Sequence, residues 1–234
     1  MMGFLQDLRF AGRMLIKSPW VSAMAISALG LGIGVTATMF SIVYSALLRG
    51  LPFEGGDRIM AVSRTNPERG ITRQPAPMSD FADWEEQQNS FEELAGYYSG
   101  TINVKWSDRP ERFDGAFISN NTFRVVGVRP LLGRDFRPED DVPDAPLTVM
   151  LSYHLWQDRF QGDPKALGQV FKVNGETAEV IGVMPEGFLF PDSQDLWIPL
   201  RQDALATPRG QGQYLTVVGK LRRDLSVDQA SAEF

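Results

Sequence analysis

The feature that most constrains this chain is an uncharged stretch near its start. Thirty-one consecutive residues, Ser18 to Leu48, carry no charge, and Lys17 and Arg49 bracket them. A helix rises about 1.5 Å per residue, so this stretch exceeds the roughly 30 Å of hydrocarbon in a bilayer. The pattern therefore predicts one transmembrane helix over residues 18–48.

Two other interpretations of the stretch are disfavoured. A cleaved signal peptide has an apolar region of about 7–15 residues, and no small-x-small site opens onto a polar start here. A buried helix of a soluble protein seldom runs this far without a charge. Hydroxyl residues such as Ser22, Thr36 and Thr38 do not argue against insertion, because they can bond back to their own helix.

The flanks of the span predict its orientation. Three basic residues and one acid precede it, whereas Glu54 and Asp57 follow soon after it. Basic residues are enriched on the cytoplasmic side of membrane helices. We therefore expect a cytoplasmic N-terminus, a single crossing, and everything after about residue 50 on the outer side of the membrane.

Composition excludes several classes of partner and site. Of the 23 basic and 29 acidic residues, three bases and one acid precede the span, which leaves a net charge of −8 for the rest. An acidic outer part is a poor match for nucleic acid. The chain has no cysteine, so disulfides and thiolate metal sites are excluded, and the outer part must rely on an ordinary core.

Residues 1–17 form a predicted cytoplasmic segment with an amphipathic helix over residues 3–17. Apolar residues including Leu5 and Leu8 recur at spacings of three and four, and Arg9, Arg13 and Lys17 fall mostly opposite. Such a helix lies in the membrane interface, with its bases towards anionic lipid or a partner. The alternative is a frayed cytoplasmic extension of the membrane helix.

Small residues form a strip within the span, which predicts close helix packing. Overlapping small-xxx-small faces let another helix approach closely. This strip is not a dinucleotide-binding fingerprint, because the spacing differs and no strand precedes it. The predicted helix-packing residues are Ala28, Gly30, Gly32, Gly34 and Thr36.

After the span, short strands and helices joined by tight turns predict an α+β fold in one outer domain, residues 49–234. The strongest hairpin signal is Asn174-Gly175 between two β-branched runs. We expect Ser79, Asn120 or Asn121, Ser152 and Ser226 to cap helices. The predicted strands lie at 58–64, 94–105, 113–118, 147–151, 169–173, 177–183, 196–200 and 214–221, with a loop over residues 66–77. The end of the chain inside an apparent helix suggests a domain truncated at its C-terminus.

The residues predict no catalytic, metal or cofactor site. No G-x-x-x-x-G-K-[ST] loop occurs, so nucleotide hydrolysis would need another chain. His154 is the sole histidine; we favour a helix-surface role for it over a Ser-His-Asp triad. The acids at 139–141 and 144 are expected to form a solvated loop rather than a cation site. Core packing is the default for the aromatic residues, but Phe188 and Phe190 lie at a turn-rich corner, where exposure would make them partner contacts.

Six stretches, in order, resemble MacB/FtsX-type ABC transporter permeases, in particular the duplicated permeases of acidobacteria. The resemblance is carried by D-L-R-F-A-G-R-M-L-I-K-S-P (7–19), A-L-G-L-G-I-G-V-T-A-T-M-F-S-I-V-Y-S-A-L-L-R-G-L-P (28–52), S-D-F-A-D-W (79–84), F-R-V-V-G-V-R-P-L-L-G-R-D-F (123–136), L-S-Y-H-L-W-Q-D-R-F-Q-G-D-P (151–164) and V-N-G-E-T-A-E-V-I-G-V-M-P-E-G-F (173–188). In that family a first membrane helix precedes a periplasmic core domain, and further membrane helices follow. This sequence stops before those later helices, which puts independent transport by it in doubt.

The resemblance implies a membrane permease subunit in the cell inner membrane. Family members dimerise, couple to a separate ABC ATPase, and pass its movement to the periplasmic domain for export or mechanotransmission. A homodimer or paired permease half, membrane lipid and a periplasmic partner are the implied contacts. Two alternatives to the permease subunit stay open. The first is a single-pass anchored periplasmic binding or sensor module without transport activity. The second, less favoured, is a membrane-anchored enzyme.

Overall fold

A computed structural model describes residues 17, 19–47, 56–66, 68, 70–106, 109–203, 206, 208–209 and 211–232. The chain divides into two compact units, Met1–Gly50 and Leu51–Phe234. The first unit contains helix α1, Pro19–Leu47. The second unit contains every strand among the described residues.

The second unit alternates short strands and helices in an α+β order, as the sequence predicts. The strands are β1 Ile59–Val62, β2 Arg64–Asn66, β3 Ile71–Gln74, β4 Ala76–Pro77, β5 Phe91–Lys105, β6 Pro110–Ile118, β7 Leu132–Gly133, β8 Leu147–Leu151, β9 Val170–Val173, β10 Glu176–Val183, β11 Leu196–Pro199 and β12 Tyr214–Leu221. The helices are α2 Met78–Gln87, α3 Thr122–Val126, α4 Tyr153–Phe160 and α5 Val227–Ser231.

Ten of these strands form one mixed sheet. Its main order is β1-β12-β5-β6-β11-β8-β10-β7, with β4 on β12 and β9 between β10 and β5. Parallel pairing joins β6 to β11 and β8 to β10, and the other pairs are antiparallel. Because β9 pairs with both β10 and β5, strands β5, β6, β11, β8, β10 and β9 close into a ring.

The ring encloses one of three apolar clusters. Side chains such as Ile102, Val149 and Leu196 are fully buried there, and α4 covers them with Leu155 and Trp156. Alternation along the strands directs one set of side chains inward. This closure covers the edges that β9 and the end of β5 would otherwise present.

Several local predictions are confirmed at the residue level. Ser152 Oγ accepts a hydrogen bond from the backbone N–H of Leu155 at 3.1 Å and caps α4. Ser226 and Gln229 form a reciprocal capping box at α5. Asn174 and Gly175 take φ values of 51° and 89°, as a two-residue hairpin turn requires.

Three local predictions are wrong. Ser79 does not cap α2, because β4 leads directly into the helix and Pro77 occupies the N-cap position. The segment 66–77 is not simply a loop, since β3 pairs with β2 and β4 pairs with β12. Asn121 precedes α3 but its side chain does not cap the helix, because its Oδ1 accepts a hydrogen bond from the hydroxyl of Ser119 at 2.7 Å instead.

A glycine at the far edge of the sheet permits the closest backbone approach. Gly133 in β7 has φ +77° and lies opposite Gly182 of β10, and a Cβ there would collide with the carbonyl oxygen of Ile181. Gly168 has a similar φ of +76°, but open space surrounds its Cβ position. A substitution at Gly133 would therefore add a steric collision to the backbone strain, whereas a substitution at Gly168 would add the strain alone.

We therefore predict that Gly133→Ala destabilises the outer domain by about 3 kcal/mol or more, from strain plus overpacking. Gly168→Ala, the matched control, should cost about 1 kcal/mol from strain alone. Thermal unfolding of the full chain in detergent micelles, followed by tryptophan fluorescence, measures both. Equal losses in the two variants would contradict the close approach of β7 to β10.

A second prediction concerns Asp135, which follows β7. Burial raises the pKa of Asp135 to about 6, while the N–H of Phe136 and the charges of Arg124 and Arg134 oppose the rise. A carboxyl group with a raised folded-state pKa favours folding below its unfolded pKa of about 4, and this contribution is lost as pH rises through about 6. At neutral pH the ionised carboxylate of Asp135 therefore destabilises the folded state.

We expect Asp135→Asn to stabilise the chain at pH 7.5 by about 1 kcal/mol, after allowance for partial solvent screening, and to have little effect at pH 4. The asparagine oxygen can still accept from the N–H of Phe136, which Asp135 binds at 2.7 Å. The control is Asp192→Asn, at an exposed position. Unfolding temperatures at the two pH values give the comparison, and a gain at pH 4 as large as at pH 7.5 would contradict the assigned cause.

Candidate functional site

Helix α1 carries the features expected of a membrane span. Its described residues run from Pro19 to Leu47, within the predicted range 18–48. Its segment Ser22–Phe40 has a mean hydropathy of 1.7, and none of it is buried within the chain. Large apolar side chains such as Leu31 and Phe40 are about two-thirds exposed. By length and composition, this helix can cross a bilayer.

Hydroxyl groups within α1 bond to their own helix, as predicted. Thr36 Oγ1 donates to the carbonyl oxygen of Gly32, and Thr38 Oγ1 donates to that of Gly34, each at 2.8 Å. These bonds satisfy the hydroxyl groups without help from water.

The small-residue strip lies on this helix and is open. No atom of the described residues outside the helix backbone lies within 4 Å of the Cβ positions of Gly30, Gly32 and Gly34. The strip includes Ala28 and Thr36 at its ends. Its role in helix packing stays a prediction.

The amphipathic segment falls mainly outside the described residues. Leu5, Leu8, Arg9 and Arg13 lie there, whereas Lys17 is described as helical and exposed. The amphipathic helix over residues 3–17 therefore stays a prediction.

The proposed exposure of Phe188 and Phe190 is wrong. Their side chains are 6% and 3% exposed, respectively. The ring of Phe188 lies 5.4 Å from that of Trp197, and the ring of Phe190 lies 5.1 Å from that of Tyr97. The indole N–H of Trp197 donates to the carbonyl oxygen of Phe190 at 2.8 Å. Both phenylalanines therefore anchor the corner to the core.

The exposed side chain at this corner is Leu189, between them, which is 57% exposed. Successive side chains of an extended segment point to opposite sides, so burying Phe188 and Phe190 turns Leu189 outward. The alternation in F-L-F is the sequence signal for an exposed Leu189. The sequence analysis assigned possible exposure to the two aromatic rings and overlooked the leucine between them.

Leu189 borders a concavity of about 380 Å³, here called the corner cleft. It is lined by residues 152–154 and 157 at the start of α4, by residues 185–189, and by residues 193–195 before β11. Its polar groups include His154, Glu186, Gln194 and Asp195. Sequence reasoning missed this cleft because the wall from α4 is distant along the chain from the other two walls.

The described residues around His154 do not form a hydrolytic triad. The His154 side chain is 79% exposed on α4, and its Nε2 lies 3.0 Å from Oδ2 of Asp158. No serine hydroxyl hydrogen-bonds to His154 within the described ranges. The helix-surface interpretation of His154 is confirmed. No group of three or more metal-ligating side chains occurs in the part of the chain that the structure describes.

Two acids of the loop after β7 are structural. Arg134 makes a two-point ion pair with Asp140, at 2.6 and 2.9 Å. Asp141 accepts from the backbone N–H groups of Asn120 at 2.9 Å and Arg201 at 2.8 Å. Burial raises the pKa of Asp141, and these hydrogen bonds oppose the rise. The expectation of a solvated loop is therefore incorrect for these two acids. Asp140 holds Arg134 within the loop, and Asp141 ties Asn120, before α3, to Arg201, after β11.

Comparison with known proteins places this architecture in a family. The model of the MacB-like periplasmic core domain matches residues 22–234. A search of curated proteins finds no match.

Solved structures of transporter domains share the fold. The periplasmic region of MacB from Actinobacillus actinomycetemcomitans has a TM-score of 0.58 and 20% identity, over 75% of this chain and 80% of that one. The extracellular domain of the noncanonic ABC-type transporter YknZ from Gram-positive bacteria has a TM-score of 0.55 and 16% identity, over 74% and 87%. A domain of a putative permease from Porphyromonas gingivalis has a TM-score of 0.57 and 14% identity, over 77% and 82%.

At these identities the structures show a common fold, and the family model covers most of the sequence. The chain therefore belongs to the family of the MacB-like periplasmic core domain, found in MacB/FtsX-type permeases.

Proposed function

We propose that this chain is a membrane permease subunit of an ABC-type export or mechanotransmission complex, with a periplasmic domain that a separate ATPase moves. The observation that carries the proposal is the order along the chain. A helix long enough to span a membrane is followed directly by a MacB-like core domain. The sequence has no Walker A loop, so the proposal assigns ATP hydrolysis to the partner chain.

We further propose that α1 crosses the inner membrane once, with the N-terminus in the cytoplasm. The amphipathic segment, with Leu5, Leu8, Arg9, Arg13 and Lys17, would lie near the ATPase. The open strip from Ala28 to Thr36 would pack against a second copy of this chain or a paired permease half. Its open Cβ positions support such an approach.

The contacts at Arg58, near the start of the outer domain, are suited to transmit a movement into the sheet. Arg58, immediately before β1, binds Oε1 of Glu92 on β5 at 2.5 Å and also donates to the carbonyl oxygen of Leu221 on β12. This contact lowers the pKa of Glu92. One side chain thus holds the first residues of the domain to two neighbouring strands.

Topology can be measured directly because the chain has no cysteine. We expect Glu139→Cys, at an exposed position, to react with a membrane-impermeant maleimide in intact spheroplasts. Gly3→Cys should react only after permeabilisation, since the basic flank predicts a cytoplasmic N-terminus. Labelling of both cysteines from the same side would contradict the single crossing.

The ATPase partner can be tested by purification from membranes. We expect a nucleotide-binding protein to copurify with the full chain. We also expect Arg9→Glu combined with Arg13→Glu to reduce its yield by about fivefold, because charge reversal opposes an electrostatically guided contact. Gln6→Glu, which adds an acid without removing a base, is the control and should retain most of the yield.

Two outcomes would decide against the permease role. Copurification of no ATPase would favour the alternative, an anchored periplasmic binding or sensor module. An equal loss of ATPase in the Gln6→Glu control would show that the two arginines are not the contact.

A further inference from the structure

The corner cleft has the size and the mixed lining of a small-ligand site. Its volume of about 380 Å³ lies within the range of roughly 300–1,000 Å³ that is usual for such sites. Leu189, Tyr153 and the edge of Phe188 supply an apolar wall. Glu186 and Asp195 supply carboxylates on the other sides.

The charge of the cleft is negative. No lysine or arginine occurs among the described residues that line it. Oδ2 of Asp195 accepts from the backbone N–H of Asp114 at 3.2 Å, and no described lysine or arginine forms an ion pair with this carboxylate. Burial raises the pKa of Asp195; the charges of Asp114 and Asp158 raise it further, while the Asp114 N–H and His154 oppose the rise. A cation in the cleft would relieve this cost.

A buried acceptor in the same wall has no donor. Gln194 lines the cleft and is only 8% exposed. Its Oε1 is buried, and no described residue donates a hydrogen bond to it. Buried polar atoms are nearly always hydrogen-bonded, because an unmet acceptor costs its full desolvation. A rotation of the Gln194 carboxamide would bring this oxygen from its buried position to a ligand that carries N–H groups.

We propose that the corner cleft binds an alkylammonium group, which Glu186, Asp195 and Gln194 would receive while its carbon chain lies against Leu189. The group is carried either by a small free amine or by the lysine side chain of a peptide. A divalent metal fits less well, since it prefers six or more oxygen ligands and gains nothing from an apolar wall. The inference concerns this cleft only and does not depend on the permease role.

Titration of the full chain in lipid nanodiscs, with empty nanodiscs subtracted, tests the proposal. The probes are n-butylamine, which is protonated at pH 7, its neutral analogue n-butanol, and Nα-acetyl-lysine methylamide. We expect saturable binding of an amine and no saturable binding of butanol. If butylamine binds and the lysine derivative does not, the source is a free amine. If the lysine derivative binds, the source is the lysine side chain of a peptide.

Variants locate the binding in the cleft. Asp195→Asn keeps an acceptor for the N–H of Asp114 but removes the charge, so amine binding should weaken about tenfold. Leu189→Ser, at an exposed position that folding should tolerate, should weaken butylamine about threefold through lost apolar contact. The matched control is Glu86→Gln, an exposed carboxylate outside the cleft, which should bind as the parent does.

Three results would overturn the proposal. The first is that neither amine shows saturable binding. The second is that butanol binds as tightly as butylamine, which would indicate apolar partition. The third is that Asp195→Asn and Leu189→Ser both bind like the Glu86→Gln control while their unfolding temperatures match the parent's.

Discussion

The outer domain depends on the ladder between β5 and β6. These strands pair over nine consecutive positions, from Tyr97 opposite Ile118 to Lys105 opposite Pro110. The first half of β5 also pairs with β12, and its last residues pair with β9. One long strand therefore belongs both to the sheet that begins at β1 and to the closed ring. Displacement of β5 would disturb both parts at once.

The ring closes through a contact that links distant parts of the chain. Asn174, at the hairpin tip, accepts from the backbone N–H of Asn103 with its side chain and donates its own N–H to the carbonyl oxygen of Asn103, at 2.9 and 2.7 Å. The same Asn174 takes the positive φ that the turn needs. A residue chosen for local turn geometry thus also provides the tertiary contact that seats β9 on β5. Local and long-range requirements agree at this position.

The sequence predicts the local helices, strands and turns far better than it predicts which strands pair with each other. The span, the Asn174-Gly175 hairpin and the Ser152 cap could be predicted because each depends on residues a few positions apart. The pairing of β6 with β11 could not, since parallel pairing leaves no turn signal between its strands. The corner cleft could not be predicted either, because only the fold brings its lining segments together. The burial of Phe188 depends on Trp197 and Phe123, and only the folded chain brings those rings together.

The acidic residues divide into two groups once their contacts are known. Asp140 and Asp141 bind an arginine and backbone N–H groups, so their charge holds loops in place. Glu186 and Asp195 line a cleft that has no lysine or arginine among its described lining. Net charge cannot distinguish these groups, because each acid counts equally whether its charge is satisfied or not. The two groups differ in the hydrogen-bond donors that the fold brings to each carboxylate. On this basis we infer a structural role for Asp140 and Asp141 and a ligand-binding role for Glu186 and Asp195.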